Sequence, residues 1–79
     1  MRLDKYLKVS RIIKRRTVAN EACDAGRVIV NGKPARASYE VKIGDSIEIT
    51  FGTRKFKAEI TSVAETVKKD DASAMYKII

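Results

Sequence analysis

Residues 24–33 read DAGRVIVNGK, and within that stretch the chain changes from helix to sheet. Gly26 is placed to take the left-handed backbone that closes a helix, because glycine has no Cβ to clash there. Val28, Ile29 and Val30 follow as β-branched side chains, which favour a pleated strand. Asn31-Gly32 matches a two-residue hairpin turn, and Pro34 confines the returning strand to an edge or an irregular start because it has no N–H to donate. The chain before Gly26 is therefore expected to be helical, and the chain after it to lead into strands.

Working back from Gly26, Val18, Ala19, Ala22 and Cys23 fall at i, i+3, i+4 spacing and form the buried side of a short helix. Thr17 reads as its N-cap, with Glu21 near the positive end. Small side chains on this helix allow close approach to a neighbour. Further back, Leu3, Tyr6, Leu7 and Ser10 share one arc at about 100° per residue, and Arg2, Lys5 and Lys8 share the next. That is an amphipathic helix with a basic stripe beside its buried stripe. Val9 falls among the basic residues, so either the helix ends near Ser10 or Val9 packs on a neighbour. Ile12 and Ile13 then return the chain to the core.

Working forward, Gly44-Asp45 marks a turn, after which Ile47, Ile49 and Phe51 alternate with Glu48 and Thr50 as a strand with one buried face. Phe56, Ala58 and Ile60 repeat the alternation after a turn at residues 52–54. Residues 68–71 read as a solvated connection. Residues 72–79 read as a helical turn or two, or a last strand, returning Met75, Tyr76 and Ile79 to the core.

Seven of the seventeen Lys and Arg residues lie in residues 1–16, against one of the ten acids, Asp4, so residues 1–20 carry +6 of a net +7. Charge so concentrated describes a surface, and a polyanion is what that surface attracts. At 79 residues, 44% hydrophobic and 34% charged, the chain can build one small core but not two, and it lacks the composition of a disordered chain. Its single cysteine, Cys23, excludes an internal disulfide and a cysteine zinc site; the absence of histidine removes the commonest general base and metal ligand. No apolar run approaches the length of a membrane span. These features lead us to expect a cytoplasmic protein that is not an enzyme and needs no metal or cofactor.

Each cation that neutralises a phosphate releases condensed counterion, so nucleic acid is a stronger reading of the basic segment than solubility, which interspersed charge would serve as well. A membrane-surface helix fails because Leu3, Tyr6 and Leu7 make too short an apolar side. A DNA-reading helix-turn-helix needs groove-reading side chains on its second helix, whereas this one presents Asn20, Glu21 and Asp24 with no basic residue before Arg27. Structured RNA, held through shape and phosphate, fits the pattern. Tyr39, in a loop, is the aromatic best placed to stack on a base; the others read as core. Cys23 reads as a packed thiol. Asp4 either stabilises the first helical turn or orients a neighbouring arginine, and both can hold at once.

RLDKYL, SR, KRRTVA, DAGRVIVNGK and VKIGDSIEI together resemble the RNA-binding domain first described in small-subunit ribosomal protein S-four, over Arg2 to about Ile49. The RLDKYLKVSRIIKRRT opening, the small size and the AxxMY pattern at Ala72 to Tyr76 are most similar to the stand-alone RqcP (YabO) family, related to heat-shock protein fifteen. The resemblance implies an α+β fold in which two short N-terminal helices pack on a small curved, mainly antiparallel sheet, with a C-terminal helical turn possible. It implies one RNA-binding domain over residues 1–79, with its core motif at 2–49 and an additional strand and tail at 50–79.

The implied role is a monomeric, ribosome-associated factor of bacterial ribosome quality control. Its partners would be the ribosomal RNA of the large subunit, peptidyl-tRNA and the alanyl-tRNA-recruiting tailing factor. The alternative is an accessory factor that binds ribosomal RNA in assembly, or in heat-shock rescue of tRNA-blocked large subunits. Carried over onto this chain, Arg2 and Arg16 match the family's RNA-contacting arginines; Lys5, Arg11 and Arg15 follow from the same motif, and Lys8, Lys14, Arg27 and Lys33 complete the expected set. The expected site is a corner between the two helices, with Arg2 and Arg16 marking its two ends.

Overall fold

A computed structural model describes residues 1–65 and 67–79, and Lys69 by its backbone alone. The elements run α1 (Leu3–Val9), α2 (Arg16–Asp24), β1 (Val28–Val30), β2 (Lys33–Pro34), β3 (Ser46–Phe51), β4 (Arg54–Ile60), a 3-10 helix (Lys69–Met75) and β5 (Tyr76–Ile78). The five strands form an antiparallel sheet in the order β2-β1-β3-β4-β5, so the expected architecture of two short helices on an antiparallel sheet is present. Among the described residues, no helix is long and apolar enough to cross a membrane.

The change from helix to sheet follows from local backbone chemistry. Gly26 has φ +76°, its N–H donates to the Cys23 carbonyl at 3.0 Å, and the Arg27 N–H donates to the Ala22 carbonyl at 3.0 Å. These two bonds satisfy carbonyls that the end of α2 would otherwise leave open, the pattern of a Schellman cap. Asn31 (φ +52°) and Gly32 (φ +84°) then turn β1 back onto β2, where Pro34 occupies the sheet edge. Both turn residues in the left-handed region match the twist of the flanking strands.

Strand register aligns the apolar faces. Val28 lies opposite Ile49, Val30 opposite Ile47, and Ile47 opposite Ala58. Leu3, Tyr6 and Leu7 of α1, Ile13 of the connection, and Ala19 and Cys23 of α2 are buried in the same core as this face. Met75 is buried there too, and its carbonyl accepts a bond from the Tyr6 hydroxyl at 2.7 Å. The 3-10 helix and β5 are thereby tied to α1, 69 residues earlier.

The structure corrects several expectations. Thr17 is not the N-cap of α2: Arg15 is, with extended backbone (φ −115°, ψ 131°) and no side-chain capping bond, and Thr17 lies inside the helix. Val18 is 47% exposed, because α2 turns Ala19 and Cys23 inward and Val18 sits about 100° round from Ala19. Phe51 is 45% exposed, because β1 pairs with β3 only as far as Ile49 and the strand runs on past the core. Ile79 also remains exposed, beyond the end of β5. The helical turn and the last strand, alternatives in the sequence, are both present, and the 3-10 helix starts at Lys69, inside the stretch read as a solvated connection. Lys68, Asp70 and Asp71 are exposed as expected there, while the Lys69 side chain lies outside the described residues.

A buried carboxylate fastens the β1–β2 hairpin to the β3 turn. Asp45 accepts from Asn31 Nδ2, the Tyr39 hydroxyl and the Lys42 N–H, each at 3.0 Å. Burial pushes the Asp45 carboxyl up, but these bonds outweigh it and hold the group below the usual carboxylate range. A depressed folded value means the stability from this network is complete above the unfolded value of about 4 and is lost as pH falls through the folded one.

Two outcomes follow. In an acid titration followed by circular dichroism, stability should hold above about pH 5 and decline below about pH 4, and Asp45→Asn should flatten that decline; an unchanged acid profile in the variant counts against the network. Tyr6→Phe should cost about 1 kcal/mol, since the Met75 carbonyl keeps the Thr61 N–H at 2.9 Å, and should speed amide exchange in β5. Unaltered β5 protection would refute the tie.

Candidate nucleic-acid interface

The start of the chain is held by the backbone of residues 37–40 as α1 begins. The Leu3 N–H donates to the Tyr39 carbonyl at 2.7 Å, the Asp4 N–H to the Ala37 carbonyl at 3.2 Å, and Arg2 forms an antiparallel bridge with Glu40. Arg2 is thus the N-cap of α1 with extended backbone (φ −68°, ψ 148°). Asp4 lies in the first turn, where a carboxylate favours the positive helix end.

Asp4 is the hub of the basic corner. Its side chain is only 3% exposed, whereas those of Arg2 and Arg16 are 50% and 48% exposed. Arg2 Nε donates to Asp4 Oδ1 at 3.2 Å, and Arg16 Nε donates to Oδ2 at 3.4 Å. The Lys5 N–H donates to Oδ1 at 2.8 Å and Asn20 Nδ2 to Oδ2 at 3.2 Å. Asp4 therefore does both things the sequence left open: it binds first-turn backbone and holds a neighbouring arginine, in fact two. Burial pushes its carboxyl up, but the bonds from Asn20, Arg16 and the Lys5 backbone, with the Arg16 charge, bring it below the usual carboxylate range. Arg2 and Arg16 consequently meet over one carboxylate and do not mark opposite ends of the corner.

The connection from α1 to α2 carries the next cations. The Arg11 N–H donates to the Lys8 carbonyl at 3.1 Å, and Arg11 itself has φ +63°, a left-handed backbone usually given to glycine. Lys8, Arg11 and Lys14 line one cavity of about 280 Å³ together with Glu65 and Val67. Lys5 is ion-paired to Glu65, and that pairing lowers the Glu65 carboxyl. Arg15 is exposed at the start of α2.

The remaining expected residues are elsewhere. Arg27 lines a groove with Val18, Ala22 and Phe51, and Lys33 lines another with Arg36 and Tyr39. Tyr39 is partly buried, its hydroxyl committed to Asp45. Cys23 is a packed thiol, pushed up to about 11 by burial and by the nearby charges of Asp4 and Asp24, so it stays protonated at neutral pH. Sequence reasoning missed two participants: Asn20, which the helical spacing puts on the exposed side of α2 although its side chain reaches Asp4, and Glu65, which carried no signal because it is 60 residues from Lys5.

Comparison with known proteins converges on one family. The S4 domain family model matches residues 1–47. The RQC P-site tRNA stabilizing factor of Halalkalibacterium halodurans is 55% identical over 99% of this chain and 89% of its own length. That of Streptococcus pneumoniae is 53% identical over 100% of this chain and 90% of its own length. Heat shock protein 15 of Vibrio cholerae, solved as a trimer, superposes with a TM-score of 0.92 at 29% identity, over 100% of this chain and 81% of the other. The S4 match thus spans both helices and the β1–β2 hairpin, and the chain belongs to the family of RQC P-site tRNA stabilizing factors.

Proposed function

We propose that this protein is a non-enzymatic RNA-binding factor of ribosome-associated quality control. It binds the large ribosomal subunit when a peptidyl-tRNA blocks it and steadies that tRNA at the P site. Alanine tailing of the stalled chain by a factor that delivers alanyl-tRNA then proceeds on the stabilised complex. The protein acts in the cytoplasm as a monomer, and residues 1–79 work as one RNA-binding unit. The observation that carries this reading is the pair of half-exposed guanidinium groups, Arg2 and Arg16, meeting over the buried Asp4 carboxylate beside the cavity of Lys8, Arg11 and Lys14. Likeness to the tRNA-stabilizing factors over nearly the whole chain supports the ligand.

The chemistry suits RNA backbone. A guanidinium presents several N–H donors in a plane that matches phosphate oxygens, and the two that Arg2 and the one that Arg16 gives to Asp4 leave others for RNA. Lys8, Arg11, Lys14 and Arg15 add charge along the corner. Arg27 and Lys33 lie on separate grooves and suit contacts at the margin of the bound RNA. The fold likeness to heat shock protein 15 also supports a second reading, an accessory factor for ribosomal RNA in assembly or heat-shock rescue.

Sedimentation with purified large subunits separates the two. The tailing reading expects preference for subunits carrying peptidyl-tRNA over empty ones; preference for assembly precursors would favour the second. With about five phosphate contacts, log K against log salt should fall with a slope of roughly −3 to −5, and a slope near zero would sink both. Arg16→Ala should weaken subunit binding by about 1–3 kcal/mol while the variant still melts cooperatively. Arg11→Gly should move two quantities in opposite directions. Relief of the left-handed strain should raise stability by up to about 1 kcal/mol, while the lost cation should weaken subunit binding. A variant that is less stable or binds more tightly would contradict this account of Arg11.

A further inference from the structure

Every cation in the corner has an obvious use if the ligand is RNA, but the acid at its centre does not. On field grounds alone, a carboxylate beneath a phosphate-binding surface should repel the ligand. Asp4 nevertheless occupies the middle of the cluster and is too deeply buried for RNA to reach. We infer that Asp4 is a positioning residue: with Asn20, it fixes Arg2 and Arg16 as one preorganised guanidinium pair. This inference rests on the RNA-binding reading and deepens it.

The geometry supports the role atom by atom. Both arginines donate to the carboxylate through Nε, the donor nearest the chain, at 3.2 and 3.4 Å. Among the described residues, Arg16 has no further partner at its terminal nitrogens, and Arg2 makes one long further contact, Nη2 to Oδ2 at 3.5 Å. The carboxylate is itself held by two further donors: the Lys5 N–H fixes Oδ1 and Asn20 Nδ2 fixes Oδ2. Arg2 comes from the N-cap of α1 and Arg16 from the first residue of α2, so the pair also records the relative placement of the two helices. Long side chains already held near their bound conformation lose less freedom when RNA arrives. Lysine at either position would keep the charge but lack an Nε donor in a planar head, and could not be held in this way.

Sign gives the decisive test. Asp4→Asn raises the net charge by one, so a purely electrostatic role predicts tighter RNA binding. Positioning predicts about tenfold weaker binding to large subunits carrying peptidyl-tRNA, despite the added charge. Unchanged or tighter binding by a variant that still melts cooperatively overturns the inference.

Nuclear magnetic resonance of the free protein supplies a readout that loss of packing alone would not mimic. In the wild type, the Nε–H groups of Arg2 and Arg16 should give resolved, slowly exchanging signals, which Asp4→Asn should collapse toward those of a free arginine. Averaged signals in the wild type would overturn the inference without any variant. Should Asp4→Asn fail to fold, Arg16→Lys carries the test. It should bind about tenfold more weakly at unchanged net charge, and wild-type affinity in that variant overturns the proposal. Failure of this inference is distinguishable from failure of the RNA reading. If Arg16→Ala loses binding while Asp4→Asn and Arg16→Lys do not, only the positioning role falls; if Arg16→Ala also binds normally, the RNA reading falls with it.

Discussion

A carboxylate shut between two helices must be matched by donors, because an unpaired buried charge is among the costliest defects a small core can hold. Asp4 is matched by groups from three places: the N-cap of α1, the first turn of α1 and the inner side of α2. Satisfying it therefore sets where α2 begins and which way it faces. It explains why α2 starts at Arg16 without a side-chain cap, and why Asn20 faces α1 while Val18 is left in water. The same requirement gathers two arginines that would otherwise repel each other.

The far end of the chain completes this arrangement. Met75 enters the core and its carbonyl receives the Tyr6 hydroxyl, so the last strand is bolted to the helix that carries the basic stripe. On the way there the chain brings Glu65 against Lys5, which places one acid at the rim of a corner otherwise built of cations. An exposed pair of this kind contributes little to stability. Its effect is on the field: Lys5 is partly neutralised, and because Glu65 also lines the cavity of Lys8, Arg11 and Lys14, it tempers the positive potential there. Arg11 shows the corner taking precedence over local comfort, since a left-handed backbone there would suit glycine better than arginine.

The cationic corner and the core thus share few side chains. The sheet, with its aligned Val and Ile faces, supplies the rigid base, and Asp45 locks the hairpin and turn at one end. The cations are half-exposed or exposed and make almost no contribution to the core. Among the described residues, Asp4 and Asn20 join the two, Asp4 being buried and bonded to both arginines and Asn20 partly buried and bonded to Asp4. Such a division lets a small core tolerate a high local charge, because the repulsion is spent in solvent and one buried acid offsets it where the arginines converge.

The amino-acid sequence by itself determined whatever depends on neighbours a few residues apart. Gly26 ending a helix, Asn31-Gly32 turning a hairpin, Pro34 at an edge and the alternation through Ile47 and Ile49 are local consequences of backbone freedom and side-chain period. The concentration of charge in residues 1–16 was equally plain, and the motif residues led to the family. What the tertiary structure alone decided concerns partners far apart in the chain. Phe51 alternates as a buried residue should, yet it is exposed because β1 stops short of it. Thr17 has the chemistry of a cap, yet the N-cap is Arg15, two residues earlier, and Arg16 at the helix start reaches Asp4. Arg2 and Arg16 looked like two ends of a site and are a pair, because a carboxylate between two helices can be reached from both. Periodicity records which face a residue belongs to, but only packing decides where a face ends and which charges must share a counter-ion.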